Sequence, residues 1–313
     1  MMKIVFFGSS DFSIESLKTL IGKHQILAVF TQPDKKKGRH LLSSATPVKS
    51  YALKNKLKVF QPRDICSVET NAFLKSFDAD LFVVVSFGTI FSKEVLDIPK
   101  FYCINLHASI LPRWRGASPI NQAIIHGDKI SGVTVIKMNE FMDRGSIMLT
   151  KSINIEENEH ALSLELKLGA LGGNALVEAI DLIERNKVKL VCQNDDLALI
   201  AHKLKKQDGL INWQDKALKI HNQVRGFIPW PCAYIYYQNK LLKILKTRVV
   251  GHNIENQVKN VGEIICIEKD NGIIVSTGFG QLLLERVQLA GKRVISAYDF
   301  AMGQRLVKGD IIM

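Results

Sequence analysis

Apolar positions in the first half of the chain alternate between two spacings. The stretches Lys3–Phe7, Ile26–Thr31 and Leu81–Val85 read as strands, and the last is apolar at every position, as in a strand buried on both faces. Between them lie segments with helical spacing at about Phe12–Lys23, Pro47–Asn55 and Glu69–Phe77, the first with Ser9 or Ser10 as its expected cap. Strand, helix, strand at this distance predicts a parallel sheet with right-handed crossovers. A short strand at Lys58–Phe60, an extended run into Asn105 and His107, and a strand at Gly132–Met138 continue it. A helix is predicted over Ala161–Arg185, with Leu164, Leu168, Leu171, Ala175 and Ile180 as its inner stripe.

The spacing then changes. Lys187–Lys206 has no period and carries the basic patch His-Lys-Leu-Lys-Lys at 202–206, which reads as a connector. After it come one helix, about Ala217–Gly226, and short strands near Leu241–Val250, Gly262–Glu268, Gly272–Ser276 and Gln281–Leu289. Asn271-Gly272 marks a hairpin between two of them. About five short strands in such a length suggest a small β-barrel, of the type that binds oligonucleotides. The expected division is therefore 1–188, a Rossmann-like α/β domain, then a linker at 189–206, then a barrel domain at 207–313.

Composition narrows the class. At 313 residues two domains are the default, and no apolar run is long enough to span a membrane. The N-terminus, Met-Met-Lys-Ile-Val-Phe-Phe-Gly, enters a strand directly and lacks the regions of a signal peptide. Cys66, Cys103, Cys192, Cys232 and Cys266 are scattered, odd in number and without Cys-x-x-Cys pairs. That argues against a disulfide framework and a zinc site, and fits a reducing cytoplasm. The net charge of +12 favours a polyanionic partner, nucleic acid first. It is spread: 28 basic against 21 acidic residues in 1–206, and 14 against 9 in 207–313.

Candidate chemistry centres on Cys103–Pro119. Asn105 and His107 stand two apart, so a strand sends both side chains to one face. An amide there holds a developing oxyanion, and an imidazole moves a proton near neutral pH. Asp143, after the strand ending at Met138, is a carboxylate able to orient that imidazole. The exit Ser86-Phe87-Gly88-Thr89 follows a buried strand, where open α/β sheets place ligands, so the main chain at Phe87 and Gly88 is a candidate wall for an aromatic ligand. Asp34–Lys49 reads as a long surface loop, mobile until it closes on a partner. Lys35, Lys36, Lys37 and Arg39 give it charge suited to phosphate.

Motifs from end to end carry a family resemblance: Phe-Phe-Gly-Ser-Ser-Asp-Phe at the start, Gln32-Pro33-Asp34, Val-Val-Ser-Phe-Gly, the Ile-Asn-Leu-His-Ala-Ser-Ile-Leu-Pro-Arg-Trp-Arg-Gly string, and Pro229-Trp230-Pro231. The chain resembles the methionyl-tRNA formyltransferase family of 10-formyltetrahydrofolate-using enzymes. The resemblance implies formyl transfer to the α-amino group of methionine on initiator tRNA, with 10-formyltetrahydrofolate as co-substrate and no metal. It implies that Asn105, His107 and Asp143 are catalytic and that Ser109, Ile110, Leu111 and Pro112 lie against the folate. Lys35, Lys36, Lys37 and Arg39 are then tRNA contacts, and the second domain an OB-like holder of tRNA. The run Phe141-Met142-Asp143-Arg144-Gly145-Ser146 departs from the family pattern at Phe141 and Arg144 while keeping Asp143. Two rivals are a formyltransferase of the same fold acting on a small amine, such as a sugar-nucleotide amine, and a non-enzymatic RNA-binding module.

Overall fold

The structure is a computed structural model and describes residues 1–37, 42–250 and 260–312, without the side chains of 36, 37, 42 and 43. Two compact units are discontinuous in sequence: Met1–Pro119 with Ile130–Asn154 and Glu165–His202, and Ile120–Lys129 with Ile155–Leu164 and Lys203–Met313.

The first unit opens β1 (Lys3–Gly8), α1 (Phe12–Ile21), β2 (Gln25–Phe30), β3 (Lys35–Lys37), β4 (Leu42–Ser44), α2 (Pro47–Lys54) and β5 (Val59–Phe60). It continues α3 (Val68–Lys75), β6 (Leu81–Val85), α4 (Lys93–Leu96), β7 (Tyr102–His107) and β8 (Arg115–Gly116). In chain order α5 (Pro119–Ile125) follows, nearly all of it in the second unit, then β9 (Ile130–Lys137), β10 (Ser146–Asn154), α6 (Ala161–Glu184), whose first turn also belongs to the second unit, and β11 (Ile200–Ala201). Seven strands form one sheet in the order β10-β9-β7-β6-β1-β2-β5. The strands from β5 to β7 are parallel, as expected from their alternation with helices. Strand β9 runs antiparallel to β7 and forms a hairpin with β10. Strand β10 left no signal in the apolar pattern because it is an edge strand with mostly half-exposed side chains.

Residues opposite one another in the β6–β7 ladder, Phe82 with Cys103 and Val84 with Asn105, share a face. That face carries the aromatic core: Phe7 packs 5.1 Å from Phe30, 5.2 Å from Phe82 and 5.1 Å from Phe91 between ring centres. Each fully buried ring or Leu contributes roughly 1.5–3 kcal/mol from area removed from water. On the opposite face α6 approaches so closely at Gly172 that any side chain there would meet Leu106.

The expected cap of α1 is corrected. Its N-cap is Asp11, whose side chain makes no capping bond. Ser9 is engaged elsewhere, its Oγ accepting the Gln32 N–H at 3.1 Å and so tying the exits of β1 and β2 together. At the base of the 34–49 loop, β3 pairs with β4 as a short antiparallel hairpin where the sequence suggested irregular chain. Main-chain bonds carry that pairing, which leaves no apolar period to read.

The second unit adds α7 (Ala217–Gly226), β12 (Ala233–Tyr237), β13 (Lys240–Val250), β14 (Ile264–Glu268), β15 (Gly272–Ser276), β16 (Gln281–Leu289), β17 (Ile295–Ser296) and α8 (Ala297–Gln304). The strands form an antiparallel sheet, β12-β13-β16-β15-β14, with β17 on β16. Its core holds Ile220 and Val224 of α7, Phe300 of α8 and Ile244, Val275, Leu282 and Val287 of the strands. The hairpin expected at Asn271-Gly272 joins β14 to β15. Within this unit Arg225 donates to the Glu159 carbonyl at 2.9 Å and Asn121 to the Gly226 carbonyl at 2.8 Å, which is why 120–129 and 155–164 belong to it.

Candidate active site

Strand β7 delivers Asn105 and His107 to the face that bears the aromatic core, opposite Ile136 and Thr134 of β9. His107 is buried, and its Nε2 lies 2.8 Å from the Trp114 carbonyl. A carbonyl oxygen only accepts, so this bond places a proton on Nε2. Nδ1 is then the nitrogen left for chemistry, and it faces Asp143 Oδ1 at 3.5 Å. Asn105 is half-buried, and its side chain makes no hydrogen bond among the described residues, so its N–H donors are available to a ligand.

The β9–β10 connection brings Asp143 to this point. Met138 N–H bonds the Cys103 carbonyl at 2.9 Å, and the chain then turns back along the sheet to reach His107. Gly145 sits against the Lys137 carbonyl, where no Cβ fits. Asp143 itself has φ +54°, a left-handed conformation that costs an L-residue about 1 kcal/mol. Its surroundings hold it there. Oδ2 accepts the Gly116 N–H at 2.8 Å, and the Asp143 carbonyl accepts from Gln193 Nε2 at 2.8 Å. Gly116 has φ +121°, and a Cβ there would collide with the Ala201 carbonyl, so glycine is required at the residue that holds the carboxylate.

Gln193 is a residue that the sequence reading missed. Its Nε2 also donates to the Gly145 carbonyl at 2.8 Å, and its Oε1 accepts from Arg115 Nε at 3.0 Å and Nη2 at 2.8 Å. Arg115 is buried and pairs with Asp195 at 2.7 Å, which holds that carboxyl below its ordinary value. The available signal was Arg115 inside the motif, since a buried guanidinium requires partners. Nothing in the aperiodic 189–206 stretch identified them. That stretch is tied to the site through β11, which pairs with β8, and a Val191–Ile147 bridge.

The other expected residues are placed as follows. The Phe87 ring packs into the aromatic core 5.6 Å from Phe7, and its carbonyl accepts from Gln32 at 3.1 Å. Gly88 follows with φ +81°. In the 109–112 turn, Ser109 Oγ donates to the Arg113 carbonyl at 2.6 Å. Thr134 Oγ1 donates to the Ser109 carbonyl at 2.7 Å and accepts the Leu111 N–H at 3.1 Å. Leu111 is buried, Ile110 and Pro112 are half-buried, and the peptide joining Leu111 to Pro112 is cis. Lys35 is exposed; Arg39 and the side chains of Lys36 and Lys37 lie outside the described residues. The loop base is pinned by Lys49 and Asp34 at 2.7 Å, with Gln61 donating to Asp34 at 2.7 Å, which lowers the Asp34 carboxyl. Phe141 is exposed, and Arg144 approaches Asp195 at 3.9 Å.

A cleft of about 290 Å³ opens beside the start of β7, with Leu96, Cys103, Lys137, Met138, Asn139 and Glu140 among its walls. Cys103 is two residues, about 7 Å, from Asn105 on the same face. Burial raises its thiol well above the ordinary value, so it serves the cleft as an apolar wall. None of the six residues expected against folate lines this cleft.

Comparison with known proteins identifies the family that the chain resembles. Residues 2–180 match the model of the formyl transferase family, and 203–305 match the model of the formyl transferase C-terminal domain. The chain is 42% identical over 313 residues to the methionyl-tRNA formyltransferase of Halothermothrix orenii, with 99% of each chain covered. It is 40% identical to that of Clostridium tetani, with each chain covered in full. Among solved structures, a sugar 3N-formyl transferase crystallised with dTDP and 5-N-formyl-tetrahydrofolate superposes with a TM-score of 0.65 at 21% identity, covering 94% of this chain and 99% of that one. An N-formyltransferase from Helicobacter canadensis, in complex with folinic acid and dTDP-3-aminofucose, gives 0.68 at 20% identity, covering 91% and 99%. At those identities the structural likeness concerns the fold alone.

Proposed function

The chain belongs to the methionyl-tRNA formyltransferase family, and from that premise we propose how its residues divide the work. The enzyme transfers the formyl group of 10-formyltetrahydrofolate to the α-amino group of methionine on initiator methionyl-tRNA, giving formylmethionyl-tRNA for translation initiation. The observation that carries the catalytic assignment is the buried His107–Asp143 contact with Gly116 N–H on the second carboxylate oxygen.

In this reading the amine attacks the formyl carbon, a C–N bond forms, and the carbonyl oxygen becomes an oxyanion. The Asn105 amide donates to that oxygen, while neutral His107, its proton on Nε2, presents the Nδ1 lone pair to the attacking amine and, once it has taken that proton, faces the oxyanion as imidazolium. A proton lost by the attacking amine passes through His107 Nδ1 to the folate nitrogen as the bond to that nitrogen breaks. The Trp114 carbonyl keeps the ring oriented through Nε2, and Asp143 favours the imidazolium form during transfer. Burial of His107 and partial burial of Asp143 strengthen these interactions over their strength in water.

The cleft beside β7 fits the folate ring system. Leu96, Cys103 and Met138 supply apolar contact, and Asn139 and Glu140 polar partners. Its volume, at the lower edge of the usual ~300–1,000 Å³, suits the ring rather than the whole molecule. We assign contacts with the rest of the folate, outside this cleft, to the Phe87–Gly88 main chain and the turn of Ser109, Ile110, Leu111 and Pro112. Lys35, Lys36, Lys37 and Arg39 would meet acceptor-stem phosphates. On this reading residues 1–188 would carry the chemistry, 189–206 join the parts while bracing the site through Gln193, and 207–313 hold tRNA; the family matches at 2–180 and 203–305 support two functional parts without setting these limits. A cytoplasmic setting is proposed on the ground that charged initiator tRNA is used there.

The rival sugar-nucleotide substrate has less support, because the full-length relatives at about 40% identity are methionyl-tRNA formyltransferases. The test is transfer of labelled formyl from 10-formyltetrahydrofolate to charged initiator tRNA, free methionine and a dTDP-amino sugar. Transfer to the tRNA alone is expected. A comparable rate on the amino sugar would overturn the reading.

A further inference from the structure

The side chain of Gln193 has all its hydrogen-bonding capacity in use. Both Nε2 hydrogens go to main-chain carbonyls of one loop, those of Asp143 and Gly145, each at 2.8 Å. Both Oε1 lone pairs take guanidinium hydrogens of Arg115, at 3.0 and 2.8 Å. Carbonyls only accept and a guanidinium only donates, so the amide has one orientation that satisfies all four partners. Arg115 is fixed in turn: its side chain is buried, it pairs with Asp195, and its main chain lies in β8 beside β11.

Arg115 and Gly116 are adjacent, and together they hold Asp143 from two directions. The Gly116 N–H holds the carboxylate directly, while the Arg115 side chain holds the loop main chain through Gln193. Asp143 needs both because its left-handed φ persists only where neighbours over-determine it.

We propose that Gln193 is a positioning residue for the formyl transfer, a clamp that fixes the 143–145 main chain so that the Asp143 carboxylate faces His107 Nδ1. This rests on the assignment of Asp143 made above. Gln193 touches no reacting atom, and its effect passes through Asp143. The segment between the two family matches therefore carries part of the active-site support.

The test is a double-mutant cycle on the full-length enzyme, read as the rate of formyl transfer to charged initiator tRNA. Gln193→Ala is expected to lower kcat about 10- to 30-fold with KM for both substrates within about twofold, as for a misplaced group away from the chemistry. Gln193→Glu keeps the acceptor for Arg115 but sets a carboxylate against two carbonyls, and should do no better. Gln193→Met, of similar size, covers the case in which the alanine variant does not fold. On an Asp143→Asn background the same substitutions should cost less than about twofold more.

An unchanged kcat in Gln193→Ala, or an equal loss with and without Asp143→Asn, would overturn the clamp. A near-normal rate for Asp143→Asn alone would instead remove the catalytic reading on which the clamp depends.

Discussion

Strand β7 and the 189–202 segment both serve Asp143, and they are built in opposite ways. Strand β7 is paired on both sides, with β6 and β9, and its Asn105 and His107 stand on a sheet face filled by aromatic rings. The 189–202 segment has a two-residue strand, one bridge and several exposed apolar side chains, including Val191, Leu197 and Ile200. The ladder positions groups that must do chemistry, because moving them means breaking a sheet. The segment positions a loop through a few side-chain bonds, and such contacts open locally at low cost. Substitutions in β7 should therefore remove chemistry, and substitutions around the segment should degrade geometry by degrees.

The largest effects should sit in β7. Asn105→Ala and His107→Ala are each expected to lower kcat about a hundredfold or more. Equilibrium binding of charged tRNA should stay within about twofold of wild type. A large loss of affinity with intact kcat would move these residues from chemistry to binding. Next comes Gly116→Ala, which forces a Cβ into the Ala201 carbonyl and tilts the N–H on Asp143. About a tenfold loss of kcat is expected, with a lower melting temperature, and an unchanged kcat would show that this N–H does not hold the carboxylate in place.

A smaller effect tests the basic loop. Arg39→Ala should reduce the slope of log affinity against log salt by about one, since one phosphate contact releases about one counterion. An identical slope would leave Arg39 as solvated charge. The smallest effect concerns Asp195, which is well exposed. The Arg115 guanidinium holds its carboxyl below the ordinary value of 3.8. A depressed folded value means its contribution is present above that pH and lost as pH falls through the lower folded value. The melting temperature of Asp195→Asn should thus trail wild type slightly at pH 6, and the gap should close below about pH 3.8. A gap independent of pH would mean the ion pair is not its source.

Much of this was legible in the sequence where local periodicity decides. The run Leu81–Val85 read as a buried strand and is one, and the two-residue spacing of Asn105 and His107 put both on one face. Asp143 was found by residue type and by its place after a strand. Strand β10, the hairpin of β3 with β4 and helix α8 were not legible, because each is short, at an edge, or weakly amphipathic. Gln193 was invisible for another reason. It acts across 50 residues on main-chain carbonyls, and a carbonyl leaves no mark in a sequence. The cleft beside Cys103 likewise draws on α4, β7 and the β9–β10 connection, segments that no linear motif joins.

The most direct measurement is made at Asp143, where the two regions meet. Single-turnover formylation by Asp143→Asn, with 10-formyltetrahydrofolate and charged initiator tRNA both saturating, isolates the transfer step from binding. The rate constant should fall by about a hundredfold or more while the affinities for both substrates stay within about twofold. A rate constant within threefold of wild type would contradict the account, because the carboxylate facing His107 would then have no part in moving the formyl group.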